Sequence, residues 1–204
     1  MVATSAMSPT LAELRREAAG CRRCPLWKLG SQTVFGEGAT RGLMLVGEQP
    51  GDVEDQQGRP FVGPAGRLLR ELLAQARIPE EDVYLTNAVK HFKWRPKGKR
   101  RIHDKPSWSE VRACSPWLDA ELEAVRPGLV LCLGVTAAQL LVGRNARIGA
   151  LRGQRLEIRD GLPALVSIHP SAVLRAGDER AERRAELLED LELAHDLLAE
   201  RAGA

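Results

Sequence analysis

The chain has 204 residues, 44% of them apolar and 28% charged, with 30 basic side chains against 27 acidic ones. That is long enough for one domain, residues 1–204, with a sizeable core, and the fractions are those of a soluble globular protein. No apolar run approaches membrane-spanning length, and the opening MVATSAMSPT has neither a basic start nor an apolar stretch, so export and membrane insertion are not expected and the chain reads as cytoplasmic.

Residues 1–9 read as a flexible leader. Leu11 to Ala19 has helical character and runs into Cys21-Arg22-Arg23-Cys24-Pro25. Four cysteines in a chain without an export signal point to metal binding or burial rather than to disulfides. An apolar strand at Leu43 to Val46 breaks into Gly47-Glu48-Gln49-Pro50-Gly51-Asp52, and Leu68, Leu69, Leu72 and Leu73 then share one helical face. Val83 to Thr86 is a second strand, ending at Asn87. A basic loop follows, then a helix from about Ser109 to Ala124. Leu129 to Leu133 is a fully apolar strand closing on Gly134, with helix-like Val135 to Leu141 behind it. Ala164 to Ile168 is the fourth strand and ends at His169-Pro170-Ser171; a last helix, about Asp178 to Glu200, keeps Leu187, Leu191, Ala194 and Leu198 on one stripe.

Strands alternating with helices imply a three-layer α/β/α sandwich around a central, mostly parallel four-stranded sheet. Such sheets bind ligands beyond the carboxyl ends of their strands. Glu48, Asn87 and His169 each lie just past a strand end, which gathers an acid, an amide and an imidazole at one rim.

The electrostatics are dominated by Lys90 to Lys105, which holds eight Lys or Arg residues and one acid. Outside this run 22 basic residues face 26 acidic ones, so a positive loop sits on an acidic body. That arrangement suits a local grip on nucleic-acid phosphates.

The rim motifs Gly47-Glu48-Gln49-Pro50-Gly51, Pro60-Phe61-Val62-Gly63-Pro64-Ala65-Gly66, Thr86-Asn87-Ala88-Val89-Lys90 and His169-Pro170-Ser171, together with the CxxC, resemble the iron–sulfur branch of the uracil-DNA glycosylase superfamily from about Cys21 to the last helix. Two departures, Gln49 in place of alanine and the inserted Lys99-Arg100-Arg101-Ile102-His103, are similar to the UdgX subgroup, which excises uracil and stays covalently joined to the abasic site.

The resemblance implies a uracil-DNA glycosylase-like fold acting as a monomer on uracil-containing DNA, single-stranded and double-stranded. A base in a duplex must flip out before its glycosidic bond can be reached. Phe61 is then the stacking face, and Asn87 offers a donor and an acceptor to the Watson–Crick edge. Gly47 allows close backbone approach, and His169 aims a donor at the uracil O2 as the base leaves as an anion. His103 attacks C1′ through a neutral ring nitrogen, oriented by Glu48, with Arg100, Arg101 and Lys105 disfavouring imidazolium. Gln49, Asp52 and Asp55 stand with the substrate-binding residues, where they orient Glu48, His103 or the loop. Lys99, Arg100, Arg101 and Ser171 are assigned to the phosphates. The competing readings are a multiple-turnover glycosylase, with water activated by Glu48 or Asp52, and a non-catalytic metal-containing DNA-binding module.

A bare cysteine count would add Cys114 and Cys132 to the CxxC pair, but Cys132 lies inside an apolar strand, where a thiol behaves as a small hydrophobe. The resemblance instead assigns Cys21, Cys24, His91 and Cys114 to a [4Fe–4S] cluster, with histidine in place of one cysteine. Structural zinc remains the alternative on residue types alone.

Overall fold

The computed structural model describes residues 9–202, so the leader assigned to residues 1–9 lies, apart from Pro9, outside the described residues. In chain order the elements are α1 (Leu11–Ala19), β1 (Glu37–Gly38), β2 (Leu43–Gly47), α2 (Asp52–Gln57), α3 (Pro64–Gln75), β3 (Val83–Asn87), β4 (Trp94–Lys97), β5 (Arg100–His103), α4 (Trp108–Val125), β6 (Leu129–Leu133), α5 (Val135–Leu141), α6 (Ile148–Leu151), β7 (Leu156–Ile158), β8 (Leu162–Ser167), α7 (Pro170–Arg175) and α8 (Arg180–Ala202). No helix among the described residues is long and apolar enough to cross a membrane.

The main sheet runs β1-β3-β2-β6-β8-β7. Its inner four strands are parallel, as expected, and two short antiparallel strands, β1 and β7, close the edges. These edges escape sequence reading because they are only two and three residues long and carry no alternating pattern.

Residues that alternate along the inner strands go to opposite faces. Leu43, Leu45, Leu85, Leu131 and Leu165 pack with α3, α7 and α8, while Met44, Val46, Val130, Cys132 and Val166 pack with α4 and α5. The result is a three-layer arrangement with helices on both faces. Because the inner strands point the same way, the carboxyl ends of β2, β3, β6 and β8 open onto one edge, where Glu48, Asn87, Gly134 and His169 gather.

Helix α4 starts one residue before its expected beginning. Ser107 caps it, accepting from the Glu110 N–H while the Glu110 side chain takes the Ser107 N–H. Pro116 lies inside the helix and cannot donate to the carbonyl of Arg112. The Ser115 hydroxyl takes that carbonyl instead, at 3.1 Å.

The basic run is a hairpin rather than a loop. Strands β4 and β5 pair antiparallel, with Trp94 opposite His103, and Gly98 turns the chain at φ +59°. The pair forms its own two-stranded sheet, separate from the main one.

Candidate active site

A cavity of about 770 Å³ opens at the strand-end edge, lined among others by Glu48, Gln49, Asp52, Phe61, Asn87, His103, His169, Ser171 and Arg175. Its floor is set by glycine. A methyl group added at Gly47 would stand 2.8 Å from Phe61 Cζ and 3.4 Å from His169 Nε2, and would run into Asn87 Oδ1. An aromatic ring, a carboxamide and an imidazole therefore converge on a space that only a residue without Cβ leaves open.

Phe61 holds a left-handed backbone, φ +54°, which is strained for a bulky residue. Two contacts impose it. The Phe61 carbonyl sits where a Gly66 side chain would be, and it accepts from the Arg70 guanidinium. The ring thereby stacks near His169, with centroids 6.0 Å apart.

His169 has a defined tautomer. Its Nδ1 accepts the Ser171 backbone N–H at 3.1 Å and lies 2.8 Å from the Ser171 hydroxyl. Burial, followed by the positive charge of Arg175, lowers its pKa to about 4. The ring is neutral near pH 7 with its proton on Nε2, a donor at the cavity floor. Ser171, assigned to phosphate binding from sequence, is thus engaged with His169.

His103 lies at the cavity mouth, half-exposed. Its Nε2 is 3.5 Å from Glu48 Oε1, and its ring lies 6.3 Å from that of Phe92. The other Glu48 oxygen accepts the Thr136 hydroxyl. Burial lowers the His103 pKa, opposed by Glu48 and reinforced by Arg175. The neutral state expected from sequence therefore has a different cause. Burial comes first, and the relevant cation is Arg175 rather than Arg100, Arg101 or Lys105.

Arg101 pairs with both Asp52 and Asp55, 2.7 Å from the latter. Its guanidinium is neutralised against α2 instead of facing solvent phosphates. Asp55 is fully buried, also accepts the Ser31 N–H at 2.8 Å, and does not line the cavity. Asp52 and Asp55 thus anchor the hairpin. Gln49 does the same from the other side. Its amide nitrogen donates to the carbonyls of Lys93 at 3.0 Å and Asp104 at 3.2 Å, and its oxygen accepts the Lys93 N–H at 3.1 Å. With both amide atoms engaged, Gln49 fixes the two ends of the segment that carries His103. Lys99 and Arg100 remain exposed near the hairpin turn.

Several contributors escaped sequence reading. Glu54 lines the cavity and accepts the Gly63 N–H at 2.8 Å, tying α2 to the start of α3. Beneath Asn87, the fully buried Lys90 ammonium pairs with Glu121 and donates to Thr86 Oγ1 and the Asn87 carbonyl, each at 2.7 Å. Glu121 further accepts the Gly36 N–H and the Tyr84 hydroxyl. Local sequence carries no signal for Thr136 or Glu121, which act on Glu48 and Lys90 from distant elements.

Among the described residues, no three His, Cys, Asp or Glu side chains converge tightly enough for a single metal ion. A [4Fe–4S] cube is wider, and its ligands stand further apart. Cys21, Cys24 and Cys114 belong to one cluster of packed residues with Trp117, whereas Cys132 belongs to a separate one and is fully buried. Trp117 Nε1–H donates to Cys21 Sγ and the Lys90 N–H to Cys114 Sγ, each at 3.2 Å, as suits sulfurs carrying negative charge. Burial pushes the Cys114 thiol up to about 11, so a thiolate there requires a cationic partner. His91 is buried, and Thr33 Oγ1 links its Nε2 to the Ala18 carbonyl, beside the turn into Cys21. Cys21, Cys24 and Cys114 are thus packed together, Cys132 lies in a separate cluster, and His91 is tied through Thr33 to the segment that leads into Cys21.

The family model described as the Uracil DNA glycosylase superfamily matches residues 35–192. The chain is 39% identical over 181 residues to a Type-4 uracil-DNA glycosylase of Thermotoga maritima, covering 87% of this chain and 89% of that one. It is 37% identical over 185 residues to a Type-4 uracil-DNA glycosylase of Pyrobaculum aerophilum, covering 87% and 91%. A Type-5 uracil-DNA glycosylase of the same organism is 30% identical over 202 residues, covering 90% and 85%.

Proposed function

The chain belongs to the uracil-DNA glycosylase superfamily, and on that premise we propose that it is a single-domain enzyme that excises uracil from DNA and then captures the abasic sugar covalently through His103. The observation that carries this reading is the His103 imidazole, held 3.5 Å from Glu48 at the mouth of the cavity by a hairpin braced on both sides.

The deoxyuridine flips into the cavity, with its base against Phe61 and its Watson–Crick edge on the Asn87 carboxamide. When the glycosidic bond breaks, its electron pair leaves with the base. The charge developing on O2 meets the Nε2–H of His169, a pre-positioned neutral donor that needs no proton transfer. The carboxylate of Glu48 faces the cationic sugar and orients His103. The lone pair of a His103 ring nitrogen forms the new bond to C1′, and the proton on the second nitrogen passes through solvent to the released uracil anion, leaving a neutral alkylated imidazole and neutral uracil. Such an imidazole is a poor leaving group, so one enzyme molecule acts once.

Lys99 and Arg100 supply charge for the flanking phosphates, while Gln49, Asp52, Asp55 and Arg101 act through the hairpin. Cys21, Cys24, His91 and Cys114 would hold a [4Fe–4S] cluster. Bound there, the cluster supplies a rigid tie between the N-terminal segment and the base of the hairpin rather than a reacting group.

Incubation with uracil-containing single-stranded DNA is expected to give a species that survives hot SDS, with product reaching a ceiling at one per enzyme. His103→Gly should lose that species. Repeated release of abasic DNA by the wild type, with no shifted band, would overturn covalent capture and leave an ordinary turnover glycosylase.

A further inference from the structure

Among the described residues, Trp27 and Leu29 are the large apolar side chains most exposed on the surface, at 37% and 39%. They lie on the short turn Pro25–Lys28 and just after it, immediately beyond the CxxC. Such residues would be unremarked singly. Here they are bracketed by charge. The Arg22 guanidinium stands 4.7 Å from the centre of the Trp27 ring and the Lys28 ammonium 5.6 Å from it, while Arg23 covers Trp117 at 4.9 Å. None of Arg22, Arg23 and Lys28 forms an ion pair among the described residues.

The patch joins the proposed active site. The Trp94 indole N–H donates to the Leu29 carbonyl at 2.8 Å, Arg101 stacks over Trp94, and Trp94 sits directly across the hairpin from His103. Opposed residues of an antiparallel pair project to the same face. A continuous track therefore leads from the cavity mouth over Trp94 to Trp27. The nearby acids are already engaged, Asp52 and Asp55 by Arg101 and Glu110 by Lys93.

We propose that this track is a second nucleic-acid contact, in which single-stranded DNA running away from the flipped nucleotide lays a base against Trp27 and its phosphates against Arg22 and Lys28. Exposed aromatic faces interleaved with unpaired cations are how sequence-tolerant single-strand sites are built. Continuity with the basic hairpin, and complementary charge, favour nucleic acid over a protein partner. The proposal deepens the glycosylase reading and rests on it.

The test uses the full chain and two substrates. Fluorescence anisotropy with a labelled, uracil-free oligothymidylate, long enough to pass from the cavity beyond Trp27, reads binding without excision. Trp27→Ala is expected to weaken that binding about tenfold, the scale of one lost base stack, and Trp27→Phe to restore most of it. Arg22→Ala with Lys28→Ala should lower the slope of log affinity against log salt by about 1.4, two single-strand phosphate contacts. Reaction of a trinucleotide with central deoxyuridine should be unchanged in all variants, because it is too short to reach the track. Visible absorbance and Tm, measured on each variant, show that the fold and metal site are intact. Unchanged anisotropy and salt slope would overturn the proposal and leave the patch to a protein partner. Equal losses on the long strand and the trinucleotide would also overturn it, since the variants would then be acting through the cavity. If the wild type fails to react with the trinucleotide, the excision reading fails while the binding result still stands.

Discussion

Ser171 gives its backbone N–H to Nδ1 of His169, so a residue two positions on decides which nitrogen of the imidazole carries the proton. The arrangement works only while the ring is neutral, and this ties stability to pH. The native pKa is about 4, below the ordinary 6.5 of a free imidazole. Between those values the unfolded chain binds a proton that native His169 excludes. Stability therefore rises with pH across that window and is level above it. Tm measured over this range should climb with pH, and His169→Gln should flatten part of the slope. An unchanged slope in the variant would show that another group is responsible.

His103 gives a kinetic counterpart. The proposed capture needs the neutral ring, whose pKa is held below 6.5 by burial and by Arg175, against the pull of Glu48. Single-turnover capture should stay level as pH falls to 6.5 and decline only below it. Removing the cation with Arg175→Met should move that acid limb to higher pH. A limb that stays in place would separate Arg175 from the nucleophile.

Gln49→Ala removes three hydrogen bonds that clamp the ends of the hairpin segment. A loss of about 1–3 kcal/mol in unfolding free energy is expected for the stranded partners. The ratio of trapped to released product is the sharper readout. Capture should fall more than uracil release, because the cavity floor does not depend on Gln49.

Gly47→Ala tests that floor. The added methyl would press on Phe61 Cζ and collide with Asn87 Oδ1, in space a flipped base would occupy. Uracil release should be lost while binding of uracil-free single strands persists. Normal excision by this variant would place the base elsewhere.

Among the cysteines, Cys132→Ala should leave iron content and visible absorbance intact, whereas Cys114→Ala should abolish both, since the two thiols face different cores. His91→Ala should weaken or abolish the absorbance. Loss of colour with Cys132→Ala and its retention with His91→Ala would reverse the ligand set.

Much of this was legible along the chain because strand ends have a local signature. The apolar runs Leu43–Val46, Val83–Thr86 and Leu129–Leu133 end in glycine or polar residues, and the parallel fold then brings those ends to one edge. What could not be read were partnerships across the fold. Arg101 looks like every other cation in KGKRRIH until Asp52 and Asp55 are seen around it. Lys90 looks like the start of the basic run, yet it is buried against Glu121 beneath Asn87. Charge runs record composition, and only packing tells which members have been neutralised.

The hairpin that carries His103 shares no ladder with the main sheet and hangs from the body by side chains, chiefly Gln49 and the Arg101 pairs. His103 thus sits on an appendage whose position is set by side-chain contacts, apart from the layers of packed leucines behind it. On the proposed reading, loosening those few side-chain contacts would alter the fate of the sugar while leaving the pocket for the base as it is.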